Sequence, residues 1–221
     1  MAKSFSVFQI SRAYGRSRWL RAYVAIKLAM DPIFETAWKL IVFRGAQVVD
    51  IGCGIGMLGI TMRAAGLIER YRGADSSVWK VNKAKQAMRY FGFEEVGYEV
   101  NDALTTPIPQ GATVCVFDVL HCMAPDAQKQ LLARLADAAD SGSLVLIRTA
   151  FRKSGLRFYP TLLNEYRRRL AFWLPRGKIH FPDRRELIAA FEARGLHVAI
   201  SPMWGKTPFA GELVVVEKPI T

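Results

Sequence analysis

The stretch Gln47-Val48-Val49-Asp50-Ile51-Gly52-Cys53-Gly54-Ile55-Gly56 decides the fold. Its first half has the apolar character of a buried strand and closes on a carboxylate. Its second half alternates glycine with other residues and opens into the helix-forming run from Met57 to Ala65. A strand, a tight loop and a helix N-terminus in succession form the place where an open α/β sheet receives a nucleotide-like ligand at its carboxyl edge. Glycines 52, 54 and 56 remove the side chains that would keep a ligand off the main chain. Gly54-x-Gly56-x-x-Gly59 also fits the dinucleotide fingerprint, but its first glycine comes late after the strand.

Outward from this stretch the pattern alternates. Strands are expected at about 46–51, 70–75, 97–100, 112–118 and 143–149, with helices at 56–66, 78–91 and from Pro125 to about Ala139, where proline suits the first helical position. Such alternation is the βαβ signature of a parallel sheet. The stretch 151–182 breaks the rhythm, and within it Leu163, Tyr166, Leu170 and Trp173 share one helical face beside Arg167-Arg168-Arg169. Asp183-Arg184-Arg185-Glu186 opens another helix as a capping box, and strands His197 to Ser201 and Glu212 to Val216 close the chain as a hairpin. Four strand ends carry an acid: Asp50, Asp75, Asp102 and Asp118. In a parallel sheet they line one edge.

The order acid, one residue, Gly-x-Gly-x-Gly resembles motif I of the class I S-adenosylmethionine-dependent methyltransferases. The resemblance extends to Tyr71-Arg72-Gly73-Ala74-Asp75, whose acid lies 19 residues beyond Gly56, to Asn101-Asp102-Ala103, and to Asp118-Val119-Leu120-His121, which looks like motif IV. It implies a Rossmann-like, doubly wound α/β fold with a seven-stranded sheet, an antiparallel last strand, an N-terminal helical extension and a basic helical insert after strand five. It also implies S-adenosyl-L-methionine as cofactor. Asp50, Gly52, Cys53, Gly54 and Gly56 would shape the methionine side, and Asp75 with Ser76 would hold the ribose. Asp102 and Ala103 would approach the adenine, while Asp118, Val119 and His121 would form the floor beside the methyl group. An edge of carboxylates welcomes a sulfonium and an ammonium and repels a pyrophosphate, which argues against a dinucleotide.

At 221 residues and 51% hydrophobic, the chain can bury a full core as one domain. It divides into N-terminal helices (1–45), a cofactor-binding core (46–150), a basic insert (151–182) and a C-terminal helix with hairpin (183–221). No apolar run is long enough to span a bilayer and the start lacks a signal-peptide pattern, so a cytoplasmic protein is expected. Cysteines 53, 115 and 122 are odd in number without metal spacing, which suits reduced thiols. Of the net charge of +12, residues 1–31 carry +5, 32–150 carry none, 151–185 carry +8 and 186–221 carry −1. The excess sits on two appendages, which points to a partner met by them. Residues 17–30 read as an amphipathic basic helix, with Trp19, Tyr23, Ile26 and Met30 at helical spacing beside Leu20 and Val24.

Methyl transfer needs alignment, exclusion of water and, for a hydroxyl acceptor, removal of a proton. His121 is the best-placed base or, equally in keeping with its position, a wall of the pocket. His180 is the second candidate and His197 reads as structural. Trp204, Phe209 and Tyr159 could line an apolar acceptor pocket or serve as core, with core favoured for Phe209. A small or carrier-linked, aromatic acceptor is expected, with an anionic membrane surface or an acidic protein as partner of 1–31 and 151–185. Nucleic acid is the alternative partner, although motif IV lacks the form found in many base-amino methyltransferases. A non-catalytic scaffold that merely binds the cofactor is a further alternative. The basic start, Arg148-Thr149, the insert and the Trp-Gly-Lys-Thr-Pro-Phe turn also look like small bacterial methyltransferases of aryl-polyene-type pigment pathways.

Overall fold

Parallel pairing begins at β1 (Val48–Ile51), buried at all four positions, whose Val48 lies opposite Tyr71 of β2 (Tyr71–Asp75). β2 in turn pairs in parallel with β3 (Val96–Val100), Tyr71 facing Val96. The computed structural model describes residues 5–42, 47–67, 70–94, 96–139, 142–152, 155–170 and 178–219. With β4 (Thr113–Phe117), β5 (Leu144–Thr149), β6 (His197–Pro202) and β7 (Glu212–Glu217), the strands form one seven-stranded sheet in the order β3-β2-β1-β4-β5-β7-β6. β7 runs antiparallel to both β5 and β6. This is the doubly wound α/β arrangement with a reversed last strand that the sequence predicts.

The chain falls into two compact units, residues 1–108 with 112–115 and residues 109–111 with 116–221. In the first, α1 (Val7–Arg12) packs on α2 (Arg18–Met30), followed by α3 (Ile33–Ile41), α4 (Met57–Ala64) and α5 (Val78–Phe91). Ser17 caps α2 by accepting from Leu20 N, and Gly92 ends α5 in the left-handed region at φ 67°. The apolar positions expected along α2 do not all turn inward. Leu20 and Val24 are buried, whereas Trp19, Ile26 and Met30 remain exposed, with Trp19 stacked on Tyr23.

In the second unit α6 (Pro125–Ala138) packs against α8 (Arg184–Glu192), with Pro125 in the first turn of α6 and Asp183 capping α8. β5 is buried at all six positions, the mark of a strand covered on both faces, while β6 at the end of the order is largely exposed. α7 (Phe158–Leu170) lies within the basic insert, and Trp173 of its expected stripe lies outside the described residues. Leu163, Tyr166 and Leu170 all face outward. Tyr159 is exposed as well, and Phe209, expected in the core, is half-buried. Among the described residues no helix is long and apolar enough to cross a membrane.

Candidate functional site

In the first unit the glycine loop is tied down from β2. Gly52 N and Cys53 N both donate to Ala74 O, at 2.7 and 2.9 Å, and Gly54 N donates to Asp75 Oδ2 at 3.0 Å. Asp75 Oδ1 accepts from Ser77 N, and Lys80 Nζ stands 3.8 Å from Oδ2. The carboxylate at the tip of β2 therefore holds the loop and the start of α5 together. Gly54 and Gly56 both have positive φ, at 59° and 78°, but their missing side chains do different things. A Cβ on Gly56 would lie 2.6 Å from the Tyr98 ring and 2.7 Å from Ala84, whereas a Cβ on Gly54 would meet nothing within 4 Å. The third glycine is a packing residue, and Gly54 leaves its space open for a ligand.

Asp50 is not a free anionic tip. It lies within β1, 3% exposed, and accepts a short hydrogen bond from Tyr71 Oη. Burial pushes its carboxyl up to about 7 against the pull of Tyr71, and Asp75 adds to the rise. Loss of water, then the carboxylates of Asp50 and Asp75, also push the Cys53 thiol up, so no thiolate stands in the loop. Asp102 is exposed at the end of β3, its Oδ1 accepting from Leu104 N, with Ala103 half-buried beside it. Ser76 is exposed after Asp75.

Tyr14, between α1 and α2, was not singled out by the sequence. It is fully buried, its hydroxyl has no hydrogen-bond partner, and it lies within electrostatic reach of Cys53 and Tyr98. An orphaned buried hydroxyl beside a loop with open space is the mark of a missing polar partner. A ligand with a carboxylate at one end and a hydroxylated, nitrogen-rich ring at the other fits this set. Tyr14 can donate to the carboxylate, Gly54 can admit the chain, and Asp75 and Asp102 can accept from hydroxyl and amino groups.

The second unit holds the motif IV residues. Asp118 adopts φ 59°, rare for a side-chain-bearing residue, and its carboxylate receives Arg148 Nε at 3.0 Å and a second, short bond from Arg148 Nη2. Asp118 N donates to Arg148 O at 2.9 Å. Arg148 is itself buried, so the two charges neutralise each other and Asp118, like Asp50, is not a free anion. Val119 is half-buried and leads into a short 3₁₀ turn, Leu120–Cys122.

His121 is 3% exposed in that turn, with Nε2 3.3 Å from Glu165 Oε2 of α7, and its ring stacks on Phe181. Arg168 Nη1 donates to both oxygens of Glu165, at 2.9 and 3.0 Å. Burial favours neutral imidazole, but Cys122 and Glu165 outweigh it and push His121 up to about 10. The nearby Glu165 carboxylate thus favours the imidazolium, although Nε2 makes no hydrogen bond among the described residues. Glu165, the residue that decides this, carries no signal in the sequence beyond being the lone acid of its helix. His180 is joined to the same turn through its backbone: its N–H donates to His121 O at 3.0 Å and its carbonyl accepts from Gln128 Nε2. His197 is exposed on β6. The three cysteines are free thiols.

Residues 24–199 match the family described as methyltransferase domain. Among solved structures, the chain is similar to the magnesium protoporphyrin IX methyltransferase of Synechocystis PCC 6803 with bound SAH, at 18% identity and TM-score 0.67, covering 94% of this chain and 92% of that one. It is also similar to an O-methyltransferase from neocarzinostatin biosynthesis in complex with S-adenosylmethionine and 2-hydroxy-5-methyl naphthoic acid, at 22% identity and TM-score 0.61, covering 90% of this chain and 55% of that one. Mitomycin 7-O-methyltransferase is a third, at 22% identity and TM-score 0.64, covering 97% and 61%. No curated protein matches the chain.

Proposed function

We propose, from the premise that the chain belongs to the methyltransferase-domain family and is an S-adenosylmethionine-dependent methyltransferase, that its acceptor is a small aromatic molecule carrying a hydroxyl or carboxyl oxygen. When bound, S-adenosylmethionine would supply the methyl group for transfer to the acceptor oxygen and would leave as the neutral thioether. The chain's own residues orient and enclose. In this reading Gly52, Cys53, Gly54 and Gly56 shape the methionine side, with the Tyr14 hydroxyl donating to its carboxylate. Asp75 and Ser76 take the ribose hydroxyls, and Asp102 and Ala103 lie toward the adenine. Buried Asp50 acts through Tyr71 and the strand, positioning the loop rather than touching the ligand. The observation that carries this placement is the open space at Gly54, in a loop tied to the Asp75 carboxylate whose Cys53 lies within electrostatic reach of the buried, unpartnered Tyr14.

Asp118 and Val119 belong to the acceptor side in this reading. His121, paired with Glu165, serves there as a wall and an anchor for α7 rather than as the base. An acceptor whose oxygen is already ionised, such as a carboxylate or an acidic phenol, needs no base. The solved structures with similar folds include proteins named for porphyrin, naphthoic acid and mitomycin chemistry, which supports an aromatic acceptor. Aromatic head groups of pigment pathways, and acceptors carried on a lipid or carrier, belong to the same class. The test is turnover of methyl-labelled S-adenosylmethionine with hydroxybenzoates, hydroxynaphthoates and porphyrin carboxylates. Label transferred to oxygen of at least one is expected. Transfer only to RNA, or cofactor binding with no product from any acceptor, would refute the reading.

A further inference from the structure

α7 is built inside out for a helix surrounded by water. Its fully buried residues are Thr161 and Glu165, one polar and one charged, and Phe158 and Leu162 are half-buried, while four large apolar residues are exposed: Tyr159 by 68%, Leu163 by 62%, Tyr166 by 51% and Leu170 by 80%. At about 100° per residue these four fall within about 60° of arc, a continuous stripe. The inner side is held by one ring contact, Phe158 edge-on to Phe181 at 4.9 Å between centroids, and by polar bonds. Thr161 Oγ1 accepts from Ala210 N at 2.8 Å, Glu165 Oε2 lies 3.3 Å from His121 Nε2, and just ahead of the helix Arg157 donates to Thr207 O at 2.8 Å. The orientation is therefore fixed, with the stripe directed outward.

We infer that this stripe is the face by which the protein lies on an anionic lipid surface. Charge selects the partner: exposed Arg167 flanks the stripe on one side and half-buried Arg169 on the other, in a segment of net charge +8. Tyrosines and leucines between arginines suit the boundary between headgroups and acyl chains, where arginine stems lie along apolar matter and their heads reach phosphates. A helix of 13 residues, about 20 Å long, can lie in that boundary and cannot span the bilayer. A second copy of this chain is disfavoured because two such positive faces repel. The inference concerns where the enzyme works and is independent of which oxygen is methylated.

The test is flotation of the whole protein with vesicles of phosphatidylcholine alone or mixed with phosphatidylglycerol, and calorimetric titration of every variant with adenosylhomocysteine. Co-flotation with the anionic vesicles only, weakened roughly tenfold or more by Leu163→Glu with Leu170→Glu and also by Arg167→Glu, is expected. Adenosylhomocysteine affinity unchanged in these variants shows that they are folded and that the cofactor site stands apart from the stripe. Wild type that binds adenosylhomocysteine but does not float, equal binding to neutral vesicles, or variants that float like wild type would overturn the inference. So would a dimer that the glutamate variants dissociate, or binding to soluble polyglutamate as tight as to vesicles. The first of these leaves the methyltransferase reading intact, whereas loss of adenosylhomocysteine binding in the wild type removes that reading alone.

Discussion

Tyr14 is the residue at which fold and function are most cleanly separable. Its hydroxyl makes no hydrogen bond in the folded chain, so removing it cannot cost one. Tyr14→Phe is expected to leave thermal stability unchanged or slightly raised without cofactor, and to weaken adenosylhomocysteine binding about three- to tenfold, the worth of one hydrogen bond. Equal affinity by calorimetry would remove Tyr14 from the site. Asp50 offers the complementary case. Its carboxyl rises to about 7 in the folded chain, so its favourable contribution is complete below the unfolded value near 3.8 and is lost as pH rises through 7. Asp50→Asn keeps an oxygen for Tyr71 and removes the charge, and it should stabilise the cofactor-free protein by roughly 2–4 kcal/mol at pH 8 while doing little at pH 4. Denaturant melts at the two pH values compare them directly, and a variant less stable at both would contradict the buried-charge account.

Among the elements, the glycine loop and α7 each divide one role between neighbouring residues. Gly54→Ala costs the fold only the strain of a left-handed alanine, about 1–2 kcal/mol, yet puts a methyl group where the ligand would lie. Gly56→Ala adds a collision with Tyr98 and Ala84 and should cost about 2–5 kcal/mol. Loss of adenosylhomocysteine binding should thus exceed loss of melting temperature in the first variant, with the reverse order in the second. Glu165 reaches from α7 to His121 while Arg168 of the same helix supports its carboxylate, so Glu165→Gln should loosen the helix. Faster amide exchange confined to 158–170 would show this, and unchanged exchange would mean that the ion pair does not hold the helix.

For the molecule as a whole, the alkaline side is the vulnerable one. His121 is raised to about 10, so the stability it brings is fully present below its unfolded value near 6.5 and disappears as pH climbs through 10. Melting temperature should therefore fall between pH 7 and 10, and Glu165→Gln should flatten that fall. An identical slope in the variant would locate the loss elsewhere. The family, the alternation of strands and helices and the glycine loop were legible in the residues themselves. Short buried-strand runs, a glycine-rich turn and proline or aspartate at helix starts are local signals, read from neighbours in the chain. The strand tips at Asp75 and Asp102 were legible in the same way. The state of each charge was not: four acids at expected strand ends look alike as letters, yet Asp50 is sealed against Tyr71 and Asp118 is neutralised by Arg148, 30 residues away. Nor could periodicity say which way the stripes of α2 and α7 face, since an apolar face reads the same whether it meets a core or open solvent. Local chemistry settles what an element is; only contacts between residues distant in the chain settle which atoms lose their water, and with that which groups are left to act.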